Sequence, residues 1–349
     1  MTKNVYKARA PLRLGLGGGG TDVSPYCDTF GGAVINVTIS RYANASVEDN
    51  DNDEIEFESA DLGLYEVYKL DDVLEISGVL VLHKATYVTI CDRYLGGQRL
   101  PIKIVTDVES PMGSGLGSSS AVVVSIVMAL KERFALALDP YTTAQLCYEI
   151  EREVAGFAGG KQDQYASTFG GVNFIEFGNK NEVLVSPLRV RPWILNELES
   201  SLILCFTGQS RESARIIDDQ SDSVSNEQAS VVEGMHQLKR DAISMKKHLL
   251  LGDFDKVAEI LNASWEAKKA TSLSISNDKI DGLILAGRKA GAMAAKVSGA
   301  GGGGFIFFLV RSDQRVSVTT ALESMGVACS RCKIEREGAD SWVINQGKV

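Results

Sequence analysis

The stretch SPMGSGLGSSSAVVVSIVMAL, from Ser110, sets Gly113, Gly115 and Gly117 and then Ser118, Ser119 and Ser120 directly before an apolar helical run. Glycine lets a backbone bend and approach a ligand where a side chain would intrude, and serine is favoured at a helix start. Unpaired N–H groups and the positive end of the helix dipole attract anions there, so Gly113 to Ser120, with Ser114 and Leu116 inside the loop, read as a phosphate cradle. No lysine stands in it, which excludes the pattern G-x-x-x-x-G-K-[ST]. The bland alternative is a flexible loop capped by serine before a core helix. A second glycine-rich run, RLGLGGGGTD from Arg13 to Asp22, matches G-x-G-x-x-G at Gly15, Gly17 and Gly20. A dinucleotide site fails there: Pro25 interrupts any helix the glycines would open, and no acidic residue stands ~20 positions beyond Gly20.

Helices and strands must bring such loops together. TTAQLCYEIEREVAGFAGG reads as a helix opened by Thr142 or Thr143, with Cys147, Ile150 and Val154 on its buried stripe. Glu151 falls on that inward face, whereas Glu149, Arg152 and Glu153 are expected to point elsewhere. An inward glutamate needs a partner, which a magnesium ion shared with phosphates or a buried arginine or lysine would supply. Asp163 follows in GGKQDQYA, where Gly159 and Gly160 break the chain and a short helix starts. An aspartate there is either a cap or a base, since the helix start favours negative charge. Up to about residue 180, strand-like runs such as AVINVTI and LPIKIVT mix with helical patterns. Residues 225 to 270 read as a helical hairpin: Val231, Met235, Leu238, Ala242, Met245 and Leu249 form one stripe, Gly252 and Asp253 turn the chain, and Phe254, Val257, Leu261 and Trp265 begin another. A short helix near 278 to 290, the strand AAKVS, the loop GAGGGG and the strand GFIFFLV follow. The expected class is α+β in two units, 1–185 and 186–349.

PMGSGLGSSSA resembles the central motif of the GHMP kinases, the small-molecule kinases of galactose, homoserine, mevalonate and phosphomevalonate. APLRLGLGGGGTD is similar to the amino-terminal motif of that family and KVSGAGGGGF, from Lys296, to the carboxy-terminal one, in family order across residues 10 to 305. PLRLGLGGGGTDVSPY and GGKQDQYASTFGG narrow the resemblance to the sugar C-1 kinases that act on D-glycero-D-manno-heptose 7-phosphate. The resemblance implies a ribosomal S5 domain 2-like amino-terminal domain and a ferredoxin-like carboxy-terminal one, with ATP and Mg2+ bound between them. It implies transfer of the γ-phosphoryl group to the anomeric C-1 hydroxyl, giving a 1,7-bisphosphate for GDP-heptose and surface polysaccharide synthesis.

By the same resemblance, Ser119 and Glu151 are metal ligands, Asp163 accepts the anomeric proton, and Arg13 stabilises charge between the transferred group and that base. Thr21 and Asp22 belong to the acceptor side, Asp22 holding sugar hydroxyls. The galactose enzymes carry a bulky glutamate–histidine pair immediately before the threonine, where this chain has Gly19 and Gly20. Gly18, Gly19 and Gly20 are therefore expected to open the pocket for a larger sugar. Gly299, Ala300, Gly301, Gly302 and Gly303 are assigned to shaping the acceptor side. An acceptor phosphate calls for basic residues, Arg211 and Lys268 first, with Arg215 and Lys269 behind them. Solvated helix-face charges are the plain alternative for each, and Lys161 either orients the acceptor or faces solvent. Two other functions compete: another anomeric kinase of L-fucose or galactose type, and a kinase-derived sugar sensor without turnover. Intact Ser119, Glu151, Asp163 and Arg13 speak against the sensor.

Composition narrows the field further. A net charge of −9 argues against general affinity for nucleic acid or an anionic membrane, while leaving room for a local phosphate pocket. The longest apolar stretch, AVVVSIVMAL, falls short of the ~18 residues that span a bilayer, and a cytoplasmic address is expected. The six cysteines are scattered rather than dense, and the one C-x-x-C, Cys329 and Cys332, has no second pair or nearby histidine to make zinc ligands. Expected partners are a sugar phosphate and ATP; oligomeric state, a homodimer included, is not fixed by the sequence.

Overall fold

Alternating and continuous apolar runs divide the strands between two sheets. In the computed structural model, which describes residues 3–179, 182–208, 213–226 and 228–346, the first sheet contains β1 (Lys3–Gly17), β2 (Gly32–Asp49), β3 (Glu54–Ser59), β4 (Leu64–Lys69), β5 (Ile102–Val108), β6 (Val172–Phe177), β7 (Val183–Pro187) and β12 (Asp340–Gln346). The second contains β8 (Leu202–Phe206), β9 (Ala292–Val297), β10 (Phe305–Val310) and β11 (Ala328–Arg331) in the order β11-β8-β10-β9. The helices are α1 (Tyr26–Phe30), α2 (Val81–Tyr94), α3 (Ser118–Phe134), α4 (Pro140–Tyr148), α5 (Gln162–Phe169), α6 (Pro192–Ser201), α7 (Ser213–Ser225), α8 (Ala229–Leu251), α9 (Phe254–Lys269), α10 (Asp278–Lys289) and α11 (Arg315–Glu323).

β2 organises the first sheet because it is long enough to serve two neighbours on one edge. Its Gly32–Val37 half pairs with β6 and its Ala43–Asp49 half with β5, while β1 runs along its other edge. The β1–β2 register slips between Pro11 and Leu12 and again between Gly15 and Gly17. Such bulges bend a strand and re-aim its side chains, here around Arg13. β3 alternates half-buried and buried residues, as a sheet with one covered face requires, whereas all six residues of β10 are buried.

The helical hairpin forms where its stripes place it. Val231, Met235, Leu238, Ala242, Met245 and Leu249 of α8 are all buried, and Gly252 ends the helix. Asp253 then caps α9 by accepting the Lys256 N–H. One continuous buried cluster joins Leu14 and Leu16 of β1, Val123 and Val127 of α3, Leu261 of α9 and Phe307 of β10, so the two sheets share a core.

Two expectations change. The helix before Glu151 is opened by Asp139, whose carboxylate accepts the Tyr141 and Thr142 N–H groups with Pro140 at the first position, not by Thr142 or Thr143. The second unit, 186–349, does not follow the strand pairing at its end: β12 returns to pair with β1, from Lys3↔Gln346 to Arg9↔Asp340, and its backbone groups complete the first sheet.

Candidate active site

α3 begins at Ser118 after Gly117, and its first-turn N–H groups have no helical partners. Gly113, Gly115, Gly117, Ser118 and Ser119 line one cleft. The other loop residues serve behind it. Ser114 is buried, bonded through its hydroxyl to Ser110 and through its carbonyl to the Phe305 N–H; Leu116 enters the core; Ser120 turns toward Glu151.

The SGAGGGG loop between β9 and β10 reaches the phosphate loop backbone to backbone. A Cβ on Gly115 would stand 2.3 Å from the Ser298 carbonyl oxygen, and one on Gly299 would stand 2.7 Å from the Gly115 Cα. No side chain fits at that approach, and both residues also hold a positive φ. Gly299 and Ala300 line the cleft, but Gly301, Gly302 and Gly303 do not. Gly301 lies against Ile275 and Gly302 donates its N–H to the Ile275 carbonyl, so this part of the loop is tied to the segment after α9.

A single π turn, Glu149–Val154, continues α4 and carries Glu151 inward, fully buried behind Ser119. Its carboxylate accepts from Ser119 Oγ at 2.7 Å, Ser120 Oγ at 2.6 Å and Gln164 Nε2 at 2.6 Å. Arg152, expected to point elsewhere, brings Nη1 to 3.2 Å from Glu151 Oε1, and donates to the Phe157, Ala158 and Gly160 carbonyls. The π turn spaces successive side chains more closely around the axis than an α-helix does, which lets neighbours 151 and 152 share one side.

Asp163 stands in the first turn of α5, whose own N-cap residue, Lys161, makes no side-chain cap bond. Arg13 grips it with two parallel bonds, Nε to Oδ1 at 2.7 Å and Nη2 to Oδ2 at 2.8 Å, while Nη1 donates to the Gly115 carbonyl at 2.6 Å. Such a fork fixes a carboxylate in orientation as well as position. Asp163 also lies beside Gly117, so the carboxylate faces the cleft at the end of the phosphate loop.

Across the cleft, Gly19, Gly20 and Asp22 form the opposing wall. Asp22 accepts from the Gly20 N–H, the Gln162 N–H and Gln162 Nε2, at 3.0, 3.1 and 3.1 Å. Gly18 and Thr21 do not reach it. A Cβ on Gly18 would lie 1.9 Å from the Ala33 carbonyl oxygen, and the Thr21 hydroxyl donates to the Gly18 and Ala33 carbonyls, so both knit this turn to the start of β2.

The basic candidates separate sharply. Lys268 is buried in the last turn of α9 and lines the cleft, its ammonium donating to the Gly299 carbonyl at 2.8 Å and the Gly19 carbonyl at 3.3 Å. Burial lowers its pKa to about 8, with Asp22 opposing. Lys161 does not face solvent and is not among the residues that line the cleft: it is buried 3.6 Å from Asp28 and over the Tyr148 ring. Lys269 pairs with Glu266, Arg215 is exposed on α7, and Arg211 lies outside the described residues.

Several cleft residues had escaped sequence reasoning: Gln162, Arg152, Ile217 and Gln220. Lys296, outside the cleft lining, is buried and donates to the Gly15 carbonyl at 3.3 Å. Burial, then Lys268 and Arg13, push its pKa down to about 7.

The phosphate loop, the forked aspartate and two touching glycine-rich loops define a small-molecule kinase. The chain belongs to the GHMP kinase family: the model of the GHMP kinases N terminal domain matches residues 81–171 and that of the GHMP kinases C terminal domain residues 245–328. It is an ATP-dependent phosphotransferase of the two-domain GHMP fold. A D-glycero-alpha-D-manno-heptose 7-phosphate kinase from Campylobacter jejuni is 40% identical over 338 residues, covering 97% of this chain and 99% of that one. A solved D-glycero-D-manno-heptose 1-phosphate kinase from Bacteroides thetaiotaomicron superposes with a TM-score of 0.82 at 38% identity, covering 97% and 98%. A Lactococcus lactis galactokinase solved with galactose has a TM-score of 0.76 at 20% identity over 96% and 95%, a likeness of fold alone. Among the described residues, no helix is long and apolar enough to cross a membrane.

Proposed function

We propose that the protein phosphorylates the anomeric C-1 hydroxyl of D-glycero-D-manno-heptose 7-phosphate, using ATP and giving the 1,7-bisphosphate. The observation that carries this reading is the Arg13–Asp163 fork, set between the phosphate loop and the Gly19–Gly20–Asp22 wall. Phosphoryl transfer asks chiefly for positioning, charge neutralisation and a proton acceptor. Gly113 to Ser119 hold the nucleotide's phosphates with backbone N–H groups. Asp22, steadied by Gln162, accepts from sugar hydroxyls. Asp163 takes the proton of the C-1 hydroxyl as its oxygen bonds to the γ-phosphorus and the bond from that phosphorus to the leaving ADP oxygen breaks.

Ser119 Oγ and Glu151 Oε1, 2.7 Å apart at the loop, are the oxygen donors that suit Mg2+, a cation that takes few protein ligands and completes its shell with phosphates and water. Bound there, it would neutralise phosphate charge. The heptose relatives at 38 and 40% identity support the acceptor, as do Gly19 and Gly20, where larger side chains would fill the cleft beside Lys268 and Gln220. ADP release measured with heptose 7-phosphate, unphosphorylated heptose, L-fucose and galactose tests the reading. It predicts the highest kcat/KM for heptose 7-phosphate; faster turnover of fucose or galactose would overturn the assignment, and binding without turnover would favour the sensor.

A further inference from the structure

Among the described residues, three cationic side chains line the cleft: Arg13, Arg152 and Lys268. Arg152 is committed to Glu151 and to the carbonyls of Phe157, Ala158 and Gly160. Arg13 spends Nε and one Nη2 bond on Asp163 and Nη1 on the Gly115 carbonyl. Lys268 differs from both. Its ammonium has three donors, of which two meet the Gly299 and Gly19 carbonyls, and among the described residues no carboxylate lies within ion-pair distance. That leaves one N–H without a partner among the described residues, on a buried cation that lines the cleft.

Its position says what that donor serves. Gly299 touches Gly115 of the phosphate loop, and Gly19 lies beside the Gln162 amide that holds Asp22. Lys268 therefore sits where the nucleotide side meets the acceptor side, among Arg13, Asp22 and Asp163 and near Lys296. A phosphate at the far end of a sugar is several bonds from the reacting C-1 oxygen, whereas this junction is where the transferred group must pass. We propose that Lys268 is a catalytic residue whose ammonium donates to the phosphoryl group in transit, while Arg13 serves mainly to hold Asp163. The step needs no atom beyond those of the transfer itself: Lys268 donates a hydrogen bond and keeps its proton. This assignment rests on the phosphotransfer reading but not on which sugar accepts.

Between turnovers the buried ammonium rests on the Gly299 and Gly19 carbonyls, with no carboxylate in ion-pair contact among the described residues. Isolated buried charge is costly, and an arriving anionic group offsets that cost only during turnover. Burial already weakens the proton's hold, and the charge is lost as pH rises through about 8, with Asp22 and Asp163 opposing that loss and Arg13 and Lys296 promoting it.

Lys268→Met and Lys268→Arg are to be compared with wild type, using heptose 7-phosphate and unphosphorylated heptose and recording kcat and KM separately across pH 6 to 10, with ATP affinity and Tm as controls. The expected result for Lys268→Met is a kcat loss on the order of 10²–10³-fold, of like size for both acceptors, with KM nearly unchanged. Wild-type kcat should fall at alkaline pH, and Lys268→Arg, whose charge persists, should recover part of the activity and move that fall upward. A KM increase confined to the phosphorylated acceptor would overturn the proposal and make Lys268 an acceptor-phosphate ligand. An unshifted alkaline limb in an active Lys268→Arg variant would overturn it too. If heptose 7-phosphate is not turned over, the substrate reading fails, and the same split is read with whichever sugar of the panel is.

Discussion

The two walls of the cleft are both rich in glycine, yet they are built on different principles. Along Gly113 to Ser119 it is glycine backbone that faces the cleft, the surface proposed to hold phosphates, and a buried carboxylate, Glu151, is held behind it by Ser119, Ser120, Gln164 and Arg152. Along Gly18 to Asp22 the backbone mainly supports. Gly18 and Thr21 lock the turn onto Ala33, Asp22 is aimed by Gln162, and Lys268 crosses from the other domain to tie Gly19 to Gly299. A phosphate can be recognised by N–H groups that every sequence possesses, so its loop needs only conformation. A sugar must be told from other sugars, which takes side chains brought from distant parts of the chain.

Substitutions on the two walls should therefore fail differently. Of the four substitutions compared across the walls, Arg13→Met should have the largest effect, a kcat loss on the order of 10²–10³-fold, because it frees Asp163 and leaves the Gly115 carbonyl to Ser298 Oγ alone; steady-state kinetics on a folded sample checks it. Glu151→Gln keeps the shape of the side chain and removes its charge. It should raise the Mg2+ concentration for half-maximal rate by roughly tenfold or more, read from a metal titration at saturating ATP, and an unchanged midpoint would separate Glu151 from the metal. Gly115→Ala places a methyl group against the Ser298 carbonyl in a positive-φ backbone, and should cost at least about 1–3 kcal/mol, seen as a lower urea midpoint together with weakened ATP binding. Thr21→Val should show the smallest effect, about 1 kcal/mol of stability with kcat preserved, since its hydroxyl serves the turn alone. A large kcat loss in Thr21→Val with normal stability would erase the distinction between the walls.

How much of this could be read beforehand follows the same line. The helix start at Ser118, the hairpin and the inward Glu151 were legible because each depends on spacing along a short stretch. Lys268 was half legible. It continues the buried stripe of Val257, Leu261 and Trp265 at a three-residue step, while Lys269 falls off that stripe and pairs with Glu266. What escaped depends on meetings across the chain. Nothing near Thr21 announces Ala33, nothing near Gln162 announces an aspartate 140 residues earlier, and the return of β12 to β1 is a pairing between the two ends of the described chain. Arg152 was misplaced for a local reason, since an α-helical wheel turned too far for a π turn.

The account turns on Asp163 as the proton acceptor at the junction of the two walls. Asp163→Asn is nearly isosteric and keeps an oxygen for Arg13, so the fold and the loop contacts should survive. Measuring ADP release and ATP affinity on the same sample of this variant tests the claim directly. A kcat loss on the order of 10²–10⁴-fold with ATP affinity within a few-fold of wild type is predicted; near-native turnover would contradict it and remove Asp163 from the chemistry.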